Sequence, residues 1–181
     1  MTDTHVYYVP MSAREKHIED DINNAIKELE EAYPTLVWNV NSCIAPDNNK
    51  FMLIYSLGES EDSDSIGVRV IKGSQNMKTT QNLLNETLKE LAEDEEESKE
   101  FVNIFHPSEF IYIILYKLKA GNFPRVKIIP NPVSSSQGSV ITTYILSTLE
   151  AKELDSDWEE ASLGKVNKLD DNNMIMYFET T

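Results

Sequence analysis

Apolar side chains recur at helical spacing along the segment from Ser12 to Tyr33. The recurring positions, which fall on one face of a helix, are Ile18, Ile22, Ala25, Ile26 and Leu29. The opposite, outer face carries Glu19, Asp20, Lys27, Glu28 and Glu31. Ser12 and Glu15 form a capping-box pattern, in which the two side chains satisfy free backbone N–H groups of the first turn. Because Pro34 disfavours helical geometry at Tyr33, the pattern predicts an amphipathic helix that ends there.

Strand patterns flank this helix. Thr4 to Pro10 alternates, and Phe51 to Tyr55 is apolar on both faces, which is typical of a central strand. A further alternating segment has one predicted face with Leu36, Trp38, Val40, Ser42 and Ile44, and another with Val37, Asn39, Asn41 and Cys43. Pro46 to Asn49 has the composition of a tight turn. Residues 1–57 are therefore predicted to form a β-α-β-β unit.

The middle of the chain begins with an acidic loop, residues 58–65, and a short predicted strand from Ile66 to Ile71. Thr79 or Thr80 is then expected to cap a second helix. Its apolar positions are Leu83, Leu84, Leu88 and Leu91. This helix leads into the acidic segment Glu93–Glu97. Because carboxylates at a helix C-terminus oppose the helix dipole, we expect these acids either within a helix that continues to Phe105 or in solvent.

The segment from Phe110 to Tyr116 is apolar on all sides, and periodicity does not distinguish a buried helix from a buried strand there. Ser108 as an N-cap, Gly121 as a C-terminal residue and Lys117 in the last turn favour a helix. The β-branched side chains favour a strand. Our prediction for residues 110–118 is the helix.

Strand patterns return towards the C-terminus. Val126 to Ile129 is bounded by prolines, which suits an edge strand, and Ser139 to Leu149 alternates as a strand does. Lys165 to Leu169 and Met174 to Phe178 are predicted to form a closing hairpin. Its Asp-Asn-Asn turn repeats the one at residues 47–49. This fits either a duplicated hairpin or, as we favour, independent choice of the same turn.

The predicted fold class is α+β, with the β-α-β-β unit followed by two helices and a C-terminal set of antiparallel strands. Residues 66–181 are expected to form a helix-plus-strand region that packs with residues 1–57 as one compact body. A chain of 181 residues with 40% hydrophobic residues is long enough for such a core.

The formal net charge is −15, and the excess of acids is spread over the whole chain. Such a surface repels nucleic acids and anionic membranes and favours encounter with a basic protein. A solubility role for the charge is the alternative. The candidate partner-binding residues are the acids of three clusters: Glu59, Glu61, Asp62 and Asp64; Glu93, Asp94, Glu95, Glu96 and Glu97; and Asp155, Asp157, Glu159 and Glu160.

Motifs for catalysis, cofactors or metals are not recognisable. His5, His17 and His106 have no partner at a metal-ligand spacing, and the glycines do not form a phosphate-binding loop. Cys43 lies within a predicted strand and is expected to be structural. No catalytic residue, cofactor or metal is therefore predicted, and an enzyme is disfavoured. Without a leader or an apolar span, a cytoplasmic location in a bacterial host is expected.

The pattern Glu15-x-x-Ile18-Glu19-x-x-Ile22-Asn23, followed by strands that end in Phe51 to Tyr55, resembles a short sporulation-associated domain of unknown function from Gram-positive bacteria and their phages. The resemblance covers residues 14–57. It implies a β-α-β-β fold and a Gram-positive or phage source, and it supplies no catalytic residues.

In size and acidity the chain is also similar to phage-encoded anti-defence inhibitors, which include anti-CRISPR and DNA-mimicking proteins. This resemblance implies an intracellular inhibitor whose carboxylates occupy a basic nucleic-acid channel, with a Cas9-type CRISPR nuclease as the expected target. The alternatives are a bacterial or phage adaptor whose N-terminal unit binds a partner by strand addition and, third, a carboxylate- and metal-dependent nuclease.

Overall fold

The computed structural model describes residues 4–10, 14–34, 37–58, 65–130 and 162–179. The helices and strands of these ranges are, in chain order, β1 (Thr4–Pro10), α1 (Glu15–Ala32), β2 (Val37–Ile44), β3 (Lys50–Gly58), β4 (Ile66–Lys72), α2 (Met77–Ala92), β5 (Glu100–Ser108), β6 (Ile111–Lys117), β7 (Arg125–Pro130), β8 (Ser162–Lys168) and β9 (Asn173–Glu179). They belong to two compact units. Unit 1 consists of Met1–Ser74 with Asp94–Asn122, and unit 2 of Gln75–Glu93 with Phe123–Thr181.

The strands of the described residues form three antiparallel sheets with the same strand order. Sheet A is ordered β1-β3-β2, sheet B β4-β6-β5 and sheet C β7-β9-β8. In each sheet the third strand lies between the first two. Because a helix connects β1 to β2 and another connects β4 to β5, sheets A and B have the split β-α-β arrangement. The predicted α+β class and the β-α-β-β order of the N-terminal region are confirmed.

A single hydrophobic core joins α1 to one face of sheet A and one face of sheet B. The predicted apolar stripe of α1 is buried, from Ile18 to Leu29. The two sheets contribute Val9, Phe51, Leu53 and Tyr55 from sheet A and Val68, Val70, Ile113 and Leu115 from sheet B. β3 pairs with both β1 and β2, so the prediction that Phe51 to Tyr55 is a central strand is confirmed.

The second strand is irregular where the sequence predicts simple alternation. The register between β2 and β3 shifts between Val40 and Ser42. A bulge of this kind inserts one residue and reverses the faces beyond it. Val40 and Cys43 are therefore both buried, although alternation predicts them on opposite faces, and Ile44 is exposed at 40%.

The start of α1 differs from the capping-box prediction. The helix begins at Glu15 with Arg14 as its N-cap, and the Arg14 carbonyl accepts the Ile18 N–H at 3.1 Å. The Arg14 side chain makes no capping hydrogen bond. Glu15 thus occupies the first helical position, whereas a capping box needs it in the third. Ser12 itself lies outside the described residues.

The start of α2 also lies upstream of its predicted cap. Oδ1 of Asn76 accepts the N–H groups of Lys78 at 3.0 Å and Thr79 at 3.3 Å. Asn is among the best N-cap residues because its short side chain reaches these groups. The prediction of Thr79 or Thr80 as the cap is therefore wrong, and Thr80 is buried within the helix.

Residues 111–117 form β6, so the helix predicted over residues 110–118 is wrong. β6 is the central strand of sheet B, and its residues Tyr112, Ile113, Ile114 and Leu115 are buried. A central strand buries both of its faces, which explains a segment that is apolar on all sides. The β-branched side chains thus indicate the correct structure, whereas Ser108, Gly121 and Lys117 indicate a helix that does not form.

The C-terminal hairpin and the edge position of β7 are confirmed in unit 2. β7 and β8 flank β9, and the Asp170 side chain accepts the Asn172 N–H at 2.7 Å in the turn before β9. In the turn before β3, the Asp47 side chain accepts the Asn49 N–H at 2.8 Å. In the Asp-Asn-Asn repeat Asp47 corresponds to Asp171, which instead accepts a hydrogen bond from Lys168 at 2.8 Å, so the two turns place the bonded Asp at different positions of the repeat. The predicted strand at residues 139–149 lies outside the described residues.

Candidate functional site

Within unit 1, α1 closes the outer edge of sheet B with side chains that replace a neighbouring strand. Nδ2 of Asn23 donates to the Val68 carbonyl at 3.0 Å, and its Oδ1 accepts the Val68 N–H at 2.9 Å. Glu19 Oε2 accepts the Val70 N–H at 2.8 Å. An exposed edge strand normally offers such groups to other chains. At β4, the helix satisfies them instead.

Glu30 extends this closure to the start of β4. Its carboxylate accepts the Ile66 N–H at 3.0 Å and the Ser65 hydroxyl at 2.7 Å. Glu19 is only 9% exposed and lies 3.5 Å from Nε of Arg69. The prediction that Glu19 lies on the outer face of the helix is therefore wrong, because β4 covers it. Asp20 and Glu28 are exposed as predicted.

Within unit 2, α2 closes the outer edge of β7 by the same contacts. Nδ2 of Asn85 donates to the Val126 carbonyl at 2.9 Å, and Oδ1 accepts the Val126 N–H at 2.8 Å. Gln81 Oε1 accepts the Ile128 N–H at 2.9 Å. Gln81 and Asn85 have the spacing of Glu19 and Asn23, and each pair binds two N–H groups of alternate strand residues. We call this arrangement, an acceptor side chain followed four residues later by Asn, the edge-sealing pair.

The first strand of sheet A has no edge-sealing pair among the described residues. β1 pairs with β3 on one side. Prolines in sheets occupy positions whose missing N–H would face outward. Pro10 thus indicates that the backbone groups of Val6 and Tyr8, at alternate positions before it, point away from β3. In the described part of the chain this edge remains open.

The face of sheet A opposite its core carries an apolar patch, which we call the outer patch. Val6 is 46% exposed, Tyr8 55% and Ile44 40%. The strand register places Val6 opposite Ile54, and Met52 opposite both Tyr8 and Ile44. Large exposed apolar side chains that are neighbours on one sheet face are typical of an interaction surface. Lys50 Nζ lies 4.8 Å from the centre of the Tyr8 ring at the border of this patch.

The acidic segment Glu93–Glu97 forms a turn after α2, not a helix. Asp94 Oδ1 accepts the N–H groups of Glu96 at 2.9 Å and Glu97 at 3.3 Å. Asp94 also forms an ion pair with Lys99, whose side chain is only 5% exposed. The hydrogen bonds from Lys99 and the Glu96 backbone lower the pKa of Asp94. Asp94 thus has a structural role in this turn, while the side chains of Glu95 and Glu96 are exposed.

The structure places the remaining predicted acids as follows. Glu93 is the C-cap of α2 and lies 3.9 Å from Lys89 Nζ, and Glu97 lies 3.7 Å from Lys99 Nζ. Glu59, Glu61, Asp62 and Asp64 lie outside the described residues, as do Asp155, Asp157, Glu159 and Glu160. Of the three predicted clusters, Glu93–Glu97 is the one that lies within the described residues.

His5, His106 and Cys43 occupy structural positions, and His17 is exposed on α1. His5 stacks on Tyr55 with ring centres 5.4 Å apart, and His106 stacks on Tyr112 at 4.2 Å. Burial raises the pKa of the Cys43 thiol to about 12, which suppresses the reactive thiolate. The described residues contain no group of three or more His, Cys, Asp or Glu side chains that could hold a metal ion.

Comparison with known proteins finds no matching family model, curated protein or solved structure. Among the helices that the structure describes, none combines the length and the apolar character needed to cross a membrane. The open edge of β1 and the outer patch are accordingly the candidate functional site on geometric grounds alone.

Proposed function

We propose that this protein is an interaction module that binds a partner protein at the open edge of β1 and the adjoining outer patch. The observation that carries this proposal is the contrast between edges. Side chains of α1 and α2 cover the first strands of sheets B and C, whereas Val6 and Tyr8 of β1 are about half exposed, at 46% and 55%.

Two physical properties of the surface support a protein partner. Its backbone edge supplies directional hydrogen bonds, and its apolar side chains supply area for hydrophobic burial. Aromatic side chains such as Tyr8 are common centres of binding energy in protein interfaces. The net charge of −15 disfavours nucleic acid as the ligand.

The proposal is tested by selecting ligands from a displayed peptide library against the full chain. Selected peptides are then measured against Tyr8→Asp, which places a charge in the outer patch, and against Leu83→Asp. Leu83 is an exposed apolar residue of α2, 37% exposed, and provides the matched control. We expect Tyr8→Asp to weaken binding about tenfold or more, with Leu83→Asp unchanged. Selected ligands that bind Tyr8→Asp as tightly as the original chain contradict the proposal.

A second candidate function is the acidic inhibitor of a nucleic-acid-handling enzyme, with a Cas9-type nuclease as the target. The observation that favours it is the turn after α2, where Asp94 and Lys99 fix the backbone while Glu95 and Glu96 remain exposed. A basic channel would attract such carboxylates. This function, like the first, fits a cytoplasmic protein that works by binding and not by catalysis.

The two functions differ in salt dependence. Binding of the purified nuclease, with and without guide RNA, is measured over a salt series for the original chain and for the double variant Glu95→Lys, Glu96→Lys. Charge mimicry predicts binding that weakens at high salt and on charge reversal. Binding that both treatments leave unchanged contradicts the inhibitor function.

A further inference from the structure

The edges of β1, β4 and β7 are equivalent positions in three sheets of the same order. Each is the first strand of its set and pairs with the third. In the register of sheet B, Val68 pairs with Leu115 and Val70 with Ile113. In sheet A, Val6 pairs with Ile54 and Tyr8 with Met52. The counterparts in sheet C are Val126 and Ile128, which face Tyr177 and Ile175. The outer patch of sheet A thus corresponds to buried faces of the other two sheets.

The sequences of β1 and β7 support this equivalence. β1 contains Val6-x-Tyr8-x-Pro10, and β7 contains Val126-x-Ile128-x-Pro130. In β7, the N–H groups of Val126 and Ile128 point outward, because Asn85 and Gln81 accept them. Pro130 ends the same alternate series. The matching proline in β1 places the N–H groups of Val6 and Tyr8 on the outward edge.

From this equivalence we infer that the partner binds β1 as an α-helix that carries an edge-sealing pair. The inference rests on the proposed function. The helix would lie against the outer patch and along the edge, as α1 lies on β4. Its Asn would bond both backbone groups of Val6, and the acceptor four residues earlier would bind the Tyr8 N–H.

A helix fits this surface better than an added strand. A strand would pair with the edge of β1 but leave Val6, Tyr8 and Ile44 exposed on the sheet face. α1 does both at β4: Asn23 bonds the edge, while the apolar stripe of α1 shares a core with Val68 and Val70. The partner is therefore an amphipathic helix in which the edge-sealing pair borders an apolar stripe.

The charge of the chain favours a neutral acceptor over an acidic one. At β4 the acceptor is Glu19, and Arg69, between Val68 and Val70, lies 3.5 Å from it. The corresponding residue of β1 is Tyr7, whose hydroxyl donates to Glu28 at 3.1 Å. In β7 the corresponding residue is Lys127, and the acceptor there is the neutral Gln81. Because β1 has no cation at this position and the chain has a net charge of −15, a neutral Gln is the preferred acceptor. The partner motif is Gln-x-x-x-Asn.

The probe is a synthetic peptide with the sequence Gln75–Glu93, which contains Gln81 and Asn85. A hydrocarbon staple between positions 82 and 86, both exposed in α2, locks it as a helix without altering the contact face. Its affinity is measured for the full chain, for Tyr8→Asp and for Leu83→Asp. Peptides with Asn85→Ala or Gln81→Glu test the edge-sealing pair.

We expect the stapled peptide to bind more tightly than the linear peptide, and Asn85→Ala to weaken binding about tenfold. Gln81→Glu should also weaken it, and Tyr8→Asp in the protein should abolish it, with Leu83→Asp unaffected. Binding that survives Tyr8→Asp, or that Asn85→Ala does not change, overturns the inference.

Failure of this inference can be distinguished from failure of the proposed function. If library ligands need Tyr8 but the linear peptide binds better than the stapled one, the surface is a docking site for an extended strand. If the full chain forms a dimer that Tyr8→Asp dissociates in sedimentation, the occupant is a second copy. Both results overturn the inference of a helical partner but support the proposed binding surface. If neither library ligands nor the peptide depend on Tyr8, the proposed function fails as well.

Discussion

The side chain of Asn23 makes both of the hydrogen bonds to Val68 that a neighbouring strand would make, at 3.0 and 2.9 Å. A helix can thereby end a sheet without leaving backbone groups unsatisfied. The same two hydrogen bonds join Asn85 to Val126, so the arrangement recurs in both units. It has consequences for stability that can be measured separately in each unit.

Replacing Asn23 with Ala should destabilise the protein. The substitution leaves both groups of Val68 without their partner in a partly buried position, and the expected loss is about 1–3 kcal/mol in the free energy of unfolding. Urea denaturation measures it. The control is Asn24→Ala at the exposed neighbouring position, which should change stability by less than about 0.5 kcal/mol. Equal effects of the two substitutions would show that the Asn23 contacts contribute nothing.

Replacing Asn85 with Ala should have a similar effect in unit 2, about 1–3 kcal/mol. Hydrogen exchange followed by mass spectrometry should also detect faster exchange in the β7 segment, because the Val126 N–H loses its acceptor. Asn82→Ala, at an exposed position of the same helix, is the matched control. Unchanged exchange in β7 after Asn85→Ala would contradict the edge-sealing role.

Asp94 should be needed to accommodate the buried Lys99. Asp94→Asn leaves the ammonium group without its main counter-charge, whereas Lys99→Met removes the charge and fills the same volume. Breaking a buried pair from one side is more damaging than replacing the charged group with an apolar one. Thermal denaturation at neutral pH should therefore show a lower Tm for Asp94→Asn than for Lys99→Met. The reverse order would contradict this role.

The same pair predicts a pH dependence. The pKa of Asp94 is lowered from its ordinary value of 3.8 by Lys99 and by the Glu96 N–H. The folded state therefore holds the proton less tightly than the unfolded state. The stabilisation is complete above the ordinary value and is lost as the pH falls through the lower folded pKa. The difference in Tm between the original chain and Asp94→Asn should shrink over that acidic range, and a difference that grows on acidification would be inconsistent with it.

Cys43 should be unreactive in the folded protein. Burial raises its pKa to about 12, so that very little thiolate is present near neutral pH. Labelling with iodoacetamide should be slow in buffer and fast in denaturant. Rapid labelling of the folded chain would show that the β2 bulge does not bury this thiol.

Much of the fold could be predicted because local patterns agree with it. The stripe of α1, the central strand Phe51 to Tyr55 and the closing hairpin all follow from periodicity and turn residues. The sequence wrongly predicts a helix over residues 110–118 because a strand buried on both faces has no alternation. The β2 bulge does not follow from local patterns because it depends on pairing with β3.

The site was harder to predict than the fold. Asn23 and Asn85 are visible in the sequence as polar residues beside an apolar stripe, each four residues after Glu or Gln. Their partners are 45 and 41 residues away along the chain, and nothing local identifies them. The sequence predicts Glu19 on the outer face for the same reason, since helical periodicity does not reveal that β4 lies against that side.

Amide hydrogen exchange of the free, full-length chain, resolved by residue with NMR, tests most directly whether one edge is open while two are sealed. The account predicts fast exchange at Val6 and Tyr8, and strong protection at Val68, Val70, Val126 and Ile128, whose N–H groups have side-chain acceptors. Protection of Val6 and Tyr8 equal to that of Val68 and Val126 would mean that the β1 edge is already occupied, and would contradict its role as a docking surface.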